Sequence, residues 1–259
     1  MDSQHSDTYV QIYVSRRLND HSKREDCKWF NLNVYERKHR KRILMKFSKF
    51  KLALATPVIA VTLSACGGSS SVPGYEELGE KADAVIDRVE AVDEYNDTTG
   101  EFDNVTTDAE MAQRSGSATY TGIAGLWVND TKEQLRDAID ADEDPDVIAD
   151  LKLTADFDSS TISGAMTNLQ AEDEDMTISG QIDVTNGVIS GADLAADLSG
   201  TVQTTGDGPD ETLTFVGTTD GTFVGDSAEA AAGDIEGTFG NGEGDDSFVG
   251  GGWLVEESK

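Results

Sequence analysis

The chain has 259 residues with 50 Asp and Glu against 20 Lys and Arg, a formal net charge of −30, two Cys and three His. Residues 1–65 hold 13 of the basic residues and 6 of the acids, so the 194 residues from Cys66 onward carry 7 basic and 44 acidic side chains, a net charge of −37. That charge repels nucleic acid and anionic headgroups, which excludes both as partners of the folded part, and it suits a protein working where salt screens self-repulsion.

In chain order, residues 1–44 are basic, contain Cys27 and all three His, and show no clear period. They read as a non-native or upstream extension, with Met45 as the true start. The alternative is a genuine cytoplasmic extension, which would turn the apolar run after it into a type II anchor.

Residues 45–65 read as a signal peptide. Lys46, Lys49 and Lys51 form a positive flank, and Leu52 to Leu63 is an apolar run too short to span a bilayer. The run ends in Leu63-Ser64-Ala65-Cys66, which resembles the lipobox of bacterial lipoproteins. That resemblance implies a diacylglyceryl group (palmitate among its chains) on the Cys66 thiol, cleavage before Cys66 and acylation of the new amine. Several acyl chains at about 0.8 kcal/mol per buried CH₂ hold such a protein on a membrane permanently. Gly67 after the cysteine favours the outer membrane in that family. An uncleaved anchor helix or a buried apolar helix is the competing reading, but neither requires the small residues or the spacer Gly67 to Ser71.

A Gly/Ser tether at 66–75 leads to an amphipathic helix at 76–95. Leu78, Ala82, Val85, Ile86, Val89 and Val92 recur at helical spacing, with acids on the other face. The helix is too short for a coiled-coil stalk and is expected to pack on the following domain. Residues 96–115, polar and rich in Thr and Asp, read as a linker.

From Gly116 to Lys259 the period is two. Leu151, Leu153, Ala155 and Phe157 alternate with polar residues, as do Ile178, Ile182 and Val184, Leu213 and Phe215, and Ile235, Gly237 and Phe239. This is the pattern of antiparallel sheet with one dry face. Turn signals stand at 158–160, 172–175, 186–187, 206–210 and 241–244, and Asn186-Gly187 is read as the strongest, a type I′ hairpin. Each short unit, such as Thr161-Ile-Ser-Gly164, Thr177-Ile-Ser-Gly180 and Thr214-Phe-Val-Gly217, puts an apolar residue two before a Gly, as where strands curve or approach closely. The fold expected is mainly β: a small eight-stranded antiparallel β-barrel preceded by one amphipathic helix. An open sandwich is the alternative.

Chemistry is sparse. From Cys66 onward there is no His, and the only Cys is Cys66 itself. This removes Cys/His zinc sites, His-ligated haem, Ser-His-Asp and Cys-His machinery and disulfides, so no enzyme, cofactor or metal is expected. Asp140-Ala-Asp142-Glu-Asp144-Pro-Asp146, after a helical run from Lys132 to Ile139, has alternate carboxylates, but Pro145 and Leu151 occupy positions where a calcium loop needs Gly and a bidentate acid. Trp127 and Trp253 are candidate rim anchors, and Tyr120 the first candidate to ligate haem; core packing is the competing role for all three.

Several of these segments resemble the C-terminal β-barrel of the transferrin-binding-protein-B family of surface lipoproteins. Gly116-Ser-Ala-Thr-Tyr120-Thr-Gly122 resembles its opening strand, and Leu153-Thr-Ala-Asp-Phe157 with Thr161-Ile-Ser-Gly164 its second hairpin. Gly217-Thr-Thr-Asp-Gly-Thr-Phe223-Val-Gly225, then Ala228, Gly233 and Phe239, resembles its closing signature, with Val224, Asp226 and Ala230 departing from the family's Tyr, Pro and Glu. The resemblance implies an outer-membrane lipoprotein displayed on the cell surface by a translocator, binding a protein or solute ligand in iron or haem acquisition, with an outer-membrane receptor as partner. It does not bring transferrin specificity, because the lobe that holds transferrin has no counterpart here. The alternative is a structural or adhesive acidic surface lipoprotein with no small-molecule ligand.

Overall fold

A computed structural model describes residues 72–92, 95–96, 101–141, 143–206, 210–242 and 246–258. Cys66, the signal peptide and residues 1–44 lie outside the described residues. Helix α1 (Tyr75–Val92) is followed by a two-stranded antiparallel ribbon, β1 (Tyr95–Asn96) and β2 (Glu101–Phe102), and by a short helix, α2 (Asp108–Met111). Then come β3 (Ser117–Asn129), helix α3 (Lys132–Ala141), β4 (Val147–Asp156), β5 (Thr161–Ala171), β6 (Thr177–Ser190), β7 (Asp193–Thr205), β8 (Glu211–Val224), β9 (Ala230–Gly240) and β10 (Ser247–Glu257).

Strands β3 to β10 form a closed barrel of eight strands in chain order, with β10 returning to pair antiparallel with β3. The barrel was the expected fold, and closure decides against the open sandwich. Alternation places Tyr120, Leu126, Leu151, Leu153, Ile182, Val184, Phe215, Ile235 and Phe239 in one buried interior. Phe215 meets Phe239 edge-on at 5.0 Å, and Tyr120 and Phe223 lie 5.6 Å apart. Trp253 fills the middle of the barrel over two glycines. A Cβ on Gly221 would come within 2.7 Å of the indole, and one on Gly233 would meet both the indole and the Asp220 carbonyl.

The strongest expected turn is not a turn. Asn186-Gly187 lies inside β6, where the register against β7 shifts between Thr185 and Val188. Asn186 takes the positive φ its side chain tolerates (52°), and a Cβ on Gly187 would strike the Ile162 carbonyl of β5. The pair therefore makes a bulge that lets two strands approach. The reversal falls at Gly191-Ala192, with Gly191 at φ 62° and Ser190 paired to Asp193. Both sites offer a residue tolerant of positive φ, so composition alone did not decide between them.

Helix α1 ends at Val92, before Tyr95, which joins the ribbon. Leu78, Ala82, Val85, Ile86 and Val89 pack on the outer wall against Ile123 of β3, Ile148 of β4, Val224 of β8, Ala230 and Ala232 of β9 and Leu254 of β10. Lys81 pairs with Asp150, and Arg88 with Glu256 at 2.6 Å. The helix thus straps the seam where the first and last strands meet.

Trp253→Ala is expected to cost about 3–5 kcal/mol as a truncated core aromatic, and Gly233→Ala about 1–3 kcal/mol through overpacking. Urea denaturation of each variant measures both.

Candidate functional site at the barrel ends

Among the described residues, side chains fill the barrel interior. Its cavity, lined by Leu153, Met166, Val184, Leu198, Thr219 and Trp253 among others, measures about 10 Å³, room for one water at most. Its polar groups are mutually satisfied: the Trp253 indole donates to Thr219 Oγ1 at 2.7 Å, and that hydroxyl donates to the Asp234 carbonyl at 2.6 Å. Tyr120 is fully buried, and its hydroxyl donates to the Ala228 carbonyl at 2.7 Å. Burial, more than its charged neighbours, pushes the phenol's pKa above the ordinary value, so it stays a protonated donor rather than an iron-ligating phenolate. Trp127 is buried outside the wall beneath α3, donating to the Glu143 carbonyl at 3.0 Å. Both tryptophans and Tyr120 are packing residues. Among the described residues, the exposed large apolar side chains are Val and Met, none of them aromatic.

One end of the barrel is plugged by residues read as linker. Val105 bridges Val224, Thr106 N–H donates to the Phe223 carbonyl at 3.0 Å, and Gly225 N–H donates to the Asn104 carbonyl at 3.0 Å. Thr107 and Glu110 form a capping box that starts α2, whose Met111 enters the barrel core. Arg114 then locks the plug: it donates to the Ser227 carbonyl at 2.9 Å, pairs with Glu257 at 2.8 Å and stacks 4.6 Å from the centre of the Phe157 ring. The Thr107-x-x-Glu110 spacing was a readable helix start. The segment's polarity hid it, because a plug of one turn needs only one buried Met.

The opposite end gathers the charge. Its four connections, 130–146, 172–176, 206–210 and 241–246, contain 13 Asp and Glu among the described residues, against Lys132 and Arg136. The three connections at the plugged end contain Asp158, Asp226 and Glu229, and the plug at 103–116 adds Asp103, Asp108 and Glu110. Acids distributed along the chain are therefore concentrated in space. Glu172 has its pKa raised above the usual carboxylate value, first by desolvation and then by Asp144, Asp146 and Glu143. The Asp140–Asp146 loop is anchored from within: Asp146 Oδ2 accepts from Val128 N–H at 2.6 Å, and the Tyr75 hydroxyl donates to the Pro145 carbonyl at 2.6 Å. Among the described residues no group of three or more acids, His or Cys has a metal-holding arrangement.

No protein-family model matches the chain, and no curated protein matches it. Solved structures do. A mutant transferrin binding protein B (TbpB) from Haemophilus parasuis Hp5 is similar at TM-score 0.36 and 14% identity, covering 59% of this chain and 28% of that one. Isotype 1 TbpB from serogroup B Neisseria meningitidis is similar at TM-score 0.36 and 16% identity, over 60% and 28%. Intact Ap-TbpB, with N and C lobes, is similar at TM-score 0.36 and 13% identity, over 59% and 28%. The chain thus spans little more than a quarter of their length.

Because its raised pKa means the ionised Glu172 is held less stably in the folded chain than in the unfolded one, stability is lost as pH rises through the folded value. Glu172→Gln should raise the Tm at pH 7 by about 1–2 °C, the scale of an exposed charge. Below the ordinary carboxylate pKa the gain should vanish, since both chains are then neutral there. Calorimetry across pH checks it.

Proposed function

We propose that the protein is an outer-membrane lipoprotein, held by acyl chains on Cys66, that displays its barrel as a non-catalytic binding module for a protein partner. The observation that supports the anchor is the run from Lys46 to Cys66, with its positive flank, short apolar core and lipobox-like end. Cell-surface display through a translocator and a role in iron or haem uptake with an outer-membrane receptor are the finer form of this reading, drawn from the sequence resemblance. The filled interior favours a macromolecular partner over a solute, because a small ligand would have no room inside the wall. Binding would then use loops and rims, where backbone geometry is set by the rigid barrel.

The same filled interior suits the structural or adhesive alternative, which differs only in what the surface meets. Co-purification from cross-linked outer membranes separates the two: a receptor favours uptake, and matrix polysaccharide favours adhesion.

Metabolic labelling with a clickable palmitate tests the anchor. The native chain should label and lose residues 1–65, and Cys66→Ser should abolish label and membrane retention. An unlabelled, uncleaved chain in the soluble fraction would refute the reading. Haemin titration of the purified protein should leave the Soret band of free haemin unshifted.

A further inference from the structure

The path of α1 fixes which end of the barrel is nearer to any anchor that precedes it. Tyr75, the first residue of the helix, is bonded to Pro145 at the acidic end, and Lys81 pairs with Asp150 beside it. Arg88 pairs with Glu256, and Val92 lies against Gly225, at the plugged end. The helix therefore runs the height of the barrel, and 18 residues rise about 27 Å. The chain enters at the acidic end.

We propose that the anchored protein stands with its acidic loops toward the membrane and presents the plugged end, residues 103–116 with the Asp158–Ser160 and Gly225–Glu229 loops, outward. This inference rests on Cys66 as the anchor. Tyr75 lies nine positions after Cys66, a contour of at most about 32 Å. Turning the plugged end to the membrane would require nearly all of that length to be drawn straight along the 18-residue, roughly 27 Å helix. The acidic end meets the membrane with any shorter path.

The charge distribution gives this orientation a consequence. The 13 described carboxylates of the membrane-facing connections are repelled by an anionic lipid surface over about a Debye length, roughly 30 Å at 0.01 M salt and roughly 3 Å at 1 M. The barrel is held off an anionic bilayer at low salt and settles toward it at high salt. Any partner approaching from outside meets the plugged end, which carries Arg114 with Asp103, Asp108, Glu110, Asp158, Asp226 and Glu229, rather than the more acidic one.

Energy transfer tests the orientation. Full chains carrying Glu174→Cys (acidic end) or Ser159→Cys (plugged end) are expressed, recovered from membranes in lipidated form, labelled with a donor dye and reconstituted in phosphatidylcholine vesicles with an acceptor lipid. A height difference of about 27 Å should make transfer from position 174 at least about twofold higher than from 159. Adding phosphatidylglycerol should lower transfer from 174 at about 0.01 M salt, and about 1 M NaCl should restore it. Equal transfer, or more from 159, in the lipidated protein overturns the orientation alone. A product that mass spectrometry finds without acyl chains overturns the anchor, and the orientation with it.

Discussion

The pairing of β10 with β3 is the constraint on which the rest depends. Ten residue pairs, from Phe248 with Asn129 to Glu257 with Tyr120, join the two ends of the β domain. Without that seam the sheet would expose two long edges, each a template for aggregation. With it, every strand is paired on both sides, and an eight-stranded circumference leaves an interior just wide enough for side chains. The seat of α1 exists only because Ile123 of β3 and Leu254 of β10 are neighbours. The plug depends on closure too, since Arg114 just before β3 is held by Glu257 at the end of β10.

Closure also directs where binding chemistry can occur. Trp253, Tyr120, Phe215 and Phe223 fill the interior, so the barrel is a packed core rather than an open cavity. Its two ends then differ sharply. One is sealed by backbone bonds, Arg114 and a buried methionine; the other concentrates carboxylates, among them Glu172, which is partly desolvated and repelled by Asp144, Asp146 and Glu143. An outer wall covered by α1 on one side leaves the strands β5 to β7 to present Thr, Ser, Asp and Gln to water, an exterior that resists non-specific association.

The barrel was legible because a wall dry on one side imposes period two, and residues such as Leu151, Leu153 and Ala155 keep it without exception. The helix was legible for the same reason at a different period. Asn186-Gly187 was misread because a bulge and a type I′ turn ask for the same backbone freedom, and only the approach of Ile162 from β5 distinguishes them. The plug was missed because its hold comes from backbone hydrogen bonds and one arginine, which leave no periodic trace. Gathering of the acids at one end was equally hidden: it follows from the parity of the strands, not from any local run. The anchoring cysteine is a reading of sequence alone.

Hydrogen exchange on the folded protein tests the closed seam most directly. Amides of Ile123, Gly125, Gly252 and Leu254, which face one another across the seam, should exchange as slowly as those at the centre of β6 and β7, because all lie within a continuous ladder. Fast exchange confined to these four amides, with β6 and β7 still protected, would mean an open sheet and would contradict the barrel.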